Sequence, residues 1–315
     1  MAKGRVSRAA KAKARRRIGP LAKKTVAPQT RKLYDAALDL FKLWLKSEGY
    51  CWPRSEVVFS DRLMEVAGIL WEEGESKADL ANLLSAFHDA MPAIDPWLRG
   101  AWRLYHVWKR NELAEQSTPA KEEWVHAMAG LALHWRWPEM ALIIMLTYWC
   151  LLRTAEAGNL LYGDAEISKG GVALLQLGLT KGGKRRGRSE AVILDRESLV
   201  NWLEASKKGR QPGERIIPGG AKELRRKFAK LVSALGLTSA NLRYYSLRRG
   251  GATATFYRTG SFDACAEAGR WGSVRTARIY IDAALQTKYE GRITDKSEKL
   301  MEKSRRVLSN FLQEA

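Results

Sequence analysis

Apolar side chains recur every three or four residues along most of this chain, and that spacing restricts it to a mainly helical fold. The first such stretch begins near Thr30, where one face carries Leu33, Ala37, Leu40, Phe41, Trp44 and Leu45. The same spacing predicts helices at about 60–73, 76–91 and 97–113. Together these segments predict a helical domain over residues 29–115, whose tryptophans belong to the core rather than stacking on bases.

A second, larger domain is predicted over residues 119–315. The polar stretch Glu115–Pro119 separates it from the first, and we expect Thr118 to be the N-cap and Pro119 the first residue of the next helix. Helical spacing then continues to the end of the chain, at about 119–133, 138–152, 196–206, 221–235, 246–257, 261–268, 274–282 and 287–312.

One region departs from helical spacing. The short apolar runs 172–178 and 191–194 flank a glycine-rich segment, 180–188, that carries five basic residues: Lys181, Lys184, Arg185, Arg186 and Arg188. Two such runs around a glycine-rich turn predict a β-hairpin with a basic tip. The predicted fold class is therefore mainly α with a small β-sheet.

The charge is strongly positive and spread along the chain. The formal net charge is +20, and residues 1–24 carry ten Lys and Arg residues with no acid. The rest still has 44 basic against 34 acidic residues, so a polyanion such as nucleic acid is the expected partner. We interpret residues 1–28 as a basic disordered arm: a DNA-contacting segment, a nuclear address or a solvated tail.

Cysteine and histidine limit the possible chemistry. The three cysteines share no spacing typical of a zinc site or a disulfide framework, which favours a reducing, intracellular location. All four histidines precede residue 135, so zinc hydrolysis and histidine-dependent catalysis are not expected in the second half. The longest apolar stretch, Met140–Leu152, is too short to span a membrane. We expect no metal, no cofactor and no membrane partner.

Cleavage of a phosphodiester without metal requires fixed cations around the phosphate, a nucleophile and an acid for the leaving oxygen. Arginine suits the first role because its planar fork pairs with two oxygens and stays charged. Two arginines, a lysine and a tyrosine are sufficient. The second half supplies candidates in order: Arg153 with Glu156 three residues on, Lys181 at the hairpin, Arg248, and Tyr280.

These motifs give the second half a resemblance to the catalytic domain of the tyrosine recombinases, the phage-integrase family. Leu151–Glu156 matches the family's Leu-Leu-Arg-x-x-Glu, Lys181 its hairpin lysine, and Arg248 the arginine of its His-x-x-Arg. Gly269–Trp271 resembles the Gly-x-Trp of the Cre-like branch, with Tyr280 nine positions after Trp271. The resemblance implies a helical core-binding domain joined to a catalytic domain of the DNA breaking-rejoining fold.

The resemblance also implies a mechanism and partners. Arg153 and Arg248 would clamp the scissile phosphate, supported by Trp271, while Tyr280 attacks to form a 3′-phosphotyrosyl bond and Lys181 protonates the 5′-oxygen. The basic hairpin residues Lys184, Arg185, Arg186 and Arg188, with Arg249, would contact the DNA. Double-stranded DNA and a homo-tetramer on two DNA sites are the implied partners, in the nucleus of a eukaryote or the nucleoid of a prokaryote.

One position departs from the family pattern, since Tyr245 stands where histidine is usual. A phenol donates one hydrogen bond but is not readily charged near neutral pH, which would slow cleavage. Tyr245 therefore leaves open a DNA-binding protein that has lost cleavage. A type IB topoisomerase-like enzyme is a further alternative.

The final predicted helix, 287–312, has apolar residues on a charged background: Leu300, Met301, Val307 and Phe311. This face would dock either on a neighbouring protomer or on its own domain.

Overall fold

The computed structural model of the protein describes residues 25–112, 116–168, 170–178, 180, 189–281, 287 and 293–314, together with residues 8, 12, 13, 15 and 16. The chain divides into two compact units, residues 1–115 and 116–315. Among the helices in these ranges, none has the length and apolar content needed to cross a bilayer.

Helices make up the first unit: α1 Pro28–Ser47, α2 Glu56–Glu72, α3 Lys77–Ala90 and α4 Arg99–Asn111. Serine N-caps fix two of the starts, because Ser55 accepts a hydrogen bond from the Val58 amide and Ser76 from the Ala78 amide. Helix α4 begins at Arg99, two residues after the predicted start, because a 3₁₀ segment containing Pro96 occupies Pro92–Leu98.

Aromatic rings form the centre of this unit. Phe59 and Phe87 lie with ring centroids 5.0 Å apart, and Phe41 packs edge-on against Phe87 at 5.2 Å. Trp108 is buried, and Trp44, Trp97 and Trp102 pack against the same core as expected, whereas Trp52 and Trp71 are exposed, contrary to the prediction. The predicted face of α1 meets this cluster through Phe41, Trp44 and Leu45. Leu33 and Leu40, assigned to the same face, are exposed instead.

The second unit continues with α5 Glu122–His134, α6 Pro138–Trp149 and the short α7 Thr154–Asn159. Three strands follow, β1 Ala165–Ile167, β2 Ala173–Gly178 and β3 Glu190–Leu194. The remaining helices are α8 Glu197–Lys207, α9 Gly220–Ala234, α10 Tyr245–Thr259, α11 Phe262–Ala268, α12 Val274–Tyr280 and α13 Asp295–Glu314.

The predicted start of α5 was wrong. Thr118 is buried and caps no helix, and α5 begins at Glu122 rather than Pro119. The reason is tertiary, because the Ala120 amide donates a 2.9 Å hydrogen bond to the Ser246 carbonyl in α10. Residues 116–121 therefore run against α10 instead of opening a helix.

The strands form one antiparallel sheet of order β1-β2-β3 within the described residues. The two predicted strands pair as expected, with Leu174 opposite Ile193. Strand β1, which the sequence did not indicate, pairs Glu166 with Leu174 on the other edge of β2. The hairpin segment 181–188 lies outside the described residues.

Two close contacts between helices of the second unit depend on glycine. A Cβ added to Gly251 of α10 would lie 2.0 Å from the Tyr148 carbonyl oxygen of α6, and one on Gly130 of α5 would lie 1.7 Å from the Ser304 carbonyl oxygen of α13. Helix α13 buries Met301 and Leu308, so in this structure it docks on its own unit.

Candidate active site

Tyr280 is the last residue of α12, a short helix whose start is capped by Ser273, which accepts from the Thr276 amide. Two side chains of α10 hold the end of this helix. Arg249 Nη2 donates to the Ile279 carbonyl at 3.1 Å, and Thr253 Oγ1 donates to the Tyr280 carbonyl at 3.4 Å. The backbone that carries the Tyr280 side chain is thereby fixed to α10.

The Tyr280 side chain has two aromatic neighbours. The Trp271 ring stacks on it, with centroids 4.5 Å apart and planes inclined by 25°. Tyr245, the first residue of α10, donates from its hydroxyl to the Tyr280 hydroxyl oxygen at 2.5 Å. Burial raises the pKa of Tyr245 above its usual value, and the hydrogen bond and charge of Tyr280 raise it further.

Arg248 lies one turn along α10 from Tyr245 and is completely buried. Its Nη2 donates to the Gly269 carbonyl at 2.5 Å and its Nη1 to the Leu151 carbonyl, while its Cζ lies 5.0 Å from the centre of the Trp271 ring. Burial, followed by the charges of Arg270 and Arg153, lowers the pKa of Arg248 to about 10. Its Nε has no hydrogen-bond partner among the described residues.

Arg153 and Glu156 form the ion pair predicted from sequence, in a different local setting. Helix α6 ends at Trp149, and Arg153 is the N-cap of α7 rather than the end of the preceding helix. Its amide donates to Glu156 Oε2 at 2.8 Å and its Nη1 to Glu156 Oε1 at 2.5 Å. Burial lowers the pKa of Arg153, but the hydrogen bonds and charges of Glu156 and Glu190 outweigh it and raise the pKa.

A third arginine, Arg270, completes this cluster, and the sequence argument had not assigned it a role. Its Nη2 donates to Glu156 Oε2 at 2.7 Å and to the Leu151 carbonyl at 3.1 Å. The Arg270 backbone has φ 55°, a left-handed conformation that is costly for a residue with a Cβ. The carbonyl of Leu151 thus accepts from both Arg248 and Arg270.

Glu190, the first residue of β3, connects the arginines to the base of the hairpin. Its carboxylate accepts from the Thr180 hydroxyl and lies 3.4 Å from Arg153 Nη1. Sequence spacing gave no signal for Glu190, because its partners lie up to 80 residues away along the chain.

One continuous series of contacts therefore joins Tyr280 to three arginines. It runs from Tyr280 through Trp271 to Arg248, and from Arg248 through the Leu151 carbonyl to Arg270, Glu156 and Arg153. Phenol and guanidinium groups in this order provide a nucleophile beside fixed positive charge.

Solved structures with the same architecture include the Tn1549 transposon integrase in complex with transposon right end DNA, at a TM-score of 0.59 and 15% identity, over 89% of this chain and 97% of that one. The same integrase in complex with circular intermediate DNA has a TM-score of 0.59 and 15% identity, over 91% of this chain and 96% of that one. XerH site-specific recombinase in a post-cleavage complex with palindromic difH has a TM-score of 0.52 and 16% identity, over 83% of this chain and 78% of that one. The chain has the tyrosine-recombinase fold.

The predicted fold class, mainly α with a small β-sheet, is therefore confirmed. The assignment to the Cre-like branch stays a prediction. No protein-family model and no curated protein matches the sequence.

Within the tyrosine-recombinase fold, the structure brings together five of the six predicted catalytic residues, Arg153, Tyr245, Arg248, Trp271 and Tyr280. The sixth, Lys181, lies outside the described residues, as do the predicted DNA contacts Lys184, Arg185, Arg186 and Arg188.

Arg249, Tyr244 and Tyr257 are placed differently from Tyr280. Arg249, a predicted DNA contact, is buried and donates to the Gln116 side chain at 2.9 Å, so its DNA role stays a prediction. Tyr244 is buried, and its hydroxyl oxygen lies 2.6 Å from Thr147 Oγ1. Burial raises the pKa of Tyr244. Tyr257 is largely exposed near the end of α10, and Tyr289 lies outside the described residues.

Proposed function

We propose that this protein is a site-specific DNA recombinase that cleaves and rejoins double-stranded DNA through a covalent bond to Tyr280. The observation that carries the proposal is the series of contacts linking the Tyr280 phenol to Arg248 and Arg153. These residues are separated by up to 127 positions in the sequence. Packing alone does not require a tyrosine, a tryptophan and three arginines to converge there.

The two guanidinium groups differ in how a phosphate would reach them. Arg153 is about a quarter exposed and would pair with the scissile phosphate from α7, because a phosphate oxygen is an acceptor that a guanidinium prefers. Arg248 is completely buried and both of its Nη atoms donate to backbone carbonyls, so its contact with the phosphate would require those bonds to open.

The proposed reaction has two balanced steps. The Tyr280 hydroxyl gives its proton to a base from solvent, its oxygen forms a bond to phosphorus as the bond from phosphorus to the 5′-oxygen breaks, and Lys181 gives its proton to that oxygen. In the second step the 5′-hydroxyl of another strand returns a proton to Lys181 and attacks phosphorus. Tyr280 then leaves and takes up a proton from solvent, and the backbone is restored. The phosphotyrosyl bond retains the free energy of the broken bond, so no nucleotide is consumed and no metal is needed.

Helix α4 of the first unit offers a surface for the DNA backbone. Four exposed basic or ionisable residues lie on one face at helical spacing: Arg99, Arg103, His106 and Arg110. Helix α4 contains no acidic residue. Three arginines on one face without acids fit a line of phosphates and would make binding strongly dependent on salt.

The proposed working unit is a homo-tetramer on two DNA sites, with α13 as the contact between protomers. In this structure the apolar face of α13 covers α5 through Met301 and Leu308. The proposed assembly would therefore require α13 to leave its own unit and pack against a neighbouring protomer. Action on DNA would also place the protein inside the cell, with the chromosome.

A DNA-binding protein without cleavage is the second candidate, favoured by Tyr245 in place of histidine. A duplex nicked close to the cut site separates the two, because the cleaved end diffuses away and leaves the covalent adduct trapped. The wild type should form an adduct stable in detergent, and Tyr280→Phe should form none. Tyr257→Phe, which removes an exposed hydroxyl from α10, is the matched control and should react like the wild type. DNA binding without any adduct in the wild type would select the inert protein.

A further inference from the structure

The direction of the hydrogen bond between the two phenols suggests a role for the unusual residue Tyr245. Tyr245 Oη is the donor and Tyr280 Oη the acceptor, at 2.5 Å. The two rings are inclined by 59°, so they meet through their hydroxyls rather than by stacking. The acceptor is the atom that would attack phosphorus.

The surroundings keep the proton on Tyr245. Burial disfavours its ionised form first, and a charge on Tyr280 disfavours it further, so the pKa of Tyr245 is raised. The charged groups that face the pair are Arg248, on the same helix, and Arg153, from the start of α7, which favour negative charge nearby. Arg249 of α10 contacts the backbone next to Tyr280. The shared contact is therefore expected to keep its proton on Tyr245.

We propose that Tyr245 acts in catalysis on the nucleophile: it donates its O–H to the Tyr280 oxygen and stabilises the phenolate that attacks the phosphate. This assignment rests on the proposed function, and it replaces the phosphate contact usual for this position with a contact to the nucleophile. Trp271 covers one face of the Tyr280 ring while Tyr245 holds its oxygen, so the nucleophile is restrained at both points.

The proton balance is simple in both directions. In the forward step the Tyr280 proton passes to a base from solvent or buffer, the phosphorus bond forms on Tyr280, and Tyr245 keeps its own proton throughout. In the reverse step the Tyr280 phenolate leaves phosphorus and again accepts the Tyr245 hydrogen bond. Tyr245 thus lowers the barrier by binding the charged oxygen and not by transferring a proton.

Absorbance of tyrosinate near 295 nm tests the contact without any DNA. Titration of wild type minus Tyr280→Phe reports residue 280 together with the change in Tyr245, whose pKa loses the contribution of Tyr280 in that variant. Tyr245→Phe minus the double variant reports residue 280 alone, without its donor. Removal of the donor should move the Tyr280 titration to higher pH by roughly one to two units, a tenfold to hundredfold loss of phenolate at fixed pH. Tyr257→Phe should leave the Tyr280 titration unchanged, and Tyr245→His, which retains a donor, should recover part of the shift.

Adduct formation on nicked DNA then tests the consequence. The rate for Tyr245→Phe should fall about tenfold to a hundredfold at neutral pH and approach the wild-type rate as the pH rises. An unshifted titration, while the wild type still forms adduct, would overturn the role of Tyr245 and leave the recombinase intact. A shifted titration with no adduct in any variant would instead overturn the proposed function. Faster cleavage by Tyr245→Phe would show that the bond keeps the Tyr280 oxygen from attacking phosphorus, contrary to the proposal.

Discussion

The Trp271 ring lies against the Tyr280 ring with centroids 4.5 Å apart, and the planes differ by only 25°. Trp271 is also the residue whose ring faces Arg248, so it touches both the proposed nucleophile and a proposed phosphate ligand. Its role is therefore to set the position of one relative to the other.

Replacement of Trp271 by alanine should slow adduct formation on nicked DNA about fivefold or more, because an aromatic pair contributes roughly 1 kcal/mol and the Tyr280 ring loses its support. Trp271→Phe keeps a stacking surface and should lose less. The measurement is the initial rate of adduct formation at saturating protein. Trp71→Ala, in the first unit, is the control. Equal rates for Trp271→Ala and the wild type would contradict this role.

Arg270 tests the balance between backbone strain and side-chain bonding. Arg270→Ala removes three donated hydrogen bonds, to Cys150, Leu151 and Glu156, and should reduce the free energy of unfolding by about 3 kcal/mol. Arg270→Gly loses the same bonds, but glycine adopts φ 55° without the Cβ clash. It should therefore be about 1 kcal/mol more stable than the alanine variant. Urea denaturation measures the free energy of unfolding of both variants. If Arg270→Gly is no more stable than Arg270→Ala, the backbone of Arg270 is not strained.

The contact between α10 and α6 predicts a severe effect of one methyl group. The Cβ of Gly251→Ala would lie 2.0 Å from the Tyr148 carbonyl oxygen, so α10 must move away from α6. We expect a loss of about 3 kcal/mol or more in the free energy of unfolding. Gly213→Ala, whose Cβ meets nothing within 4 Å, should change it by less than about 0.5 kcal/mol. Similar melting temperatures for the two variants would contradict the close contact.

The buried phenol of Tyr244 predicts loss of stability at alkaline pH. Burial raises its pKa in the folded state, so the folded protein holds this proton more tightly than the unfolded chain. Its contribution is complete below the ordinary value of about 10 and is lost as the pH rises above it. Tyr244→Phe should reduce the slope of unfolding free energy against pH in that range by about 1.4 kcal/mol per unit. The exposed Tyr257→Phe should leave the slope unchanged, and equal slopes for wild type and Tyr244→Phe would reject this explanation.

Periodicity predicted most of the helices because their apolar faces are determined locally, and it failed where a distant contact decides the local structure. Thr118 and Pro119 carry the residue types of a helix start, yet the hydrogen bond from Ala120 to Ser246 keeps that segment extended. Strand β1 escaped prediction because its three residues are too few to show alternation.

The candidate site shows the same division. The order of Arg153, Arg248, Trp271 and Tyr280 was visible in the sequence because each lies in a short motif. The inward direction of Arg270 depends on Glu156, 114 positions away, and the pairing of Tyr245 with Tyr280 joins residues 35 apart. No local pattern encodes such distances.

The peptide oxygen of Leu151 is a common support for Arg248 and Arg270, on a residue that is itself left-handed, with φ 48°. Rotation of this one peptide group would displace both guanidinium groups together. Under the proposed function, attempts to retarget the protein to altered backbones, such as methylphosphonates or phosphorothioates, should therefore begin with the conformation of the loop 150–153, rather than with either arginine in isolation.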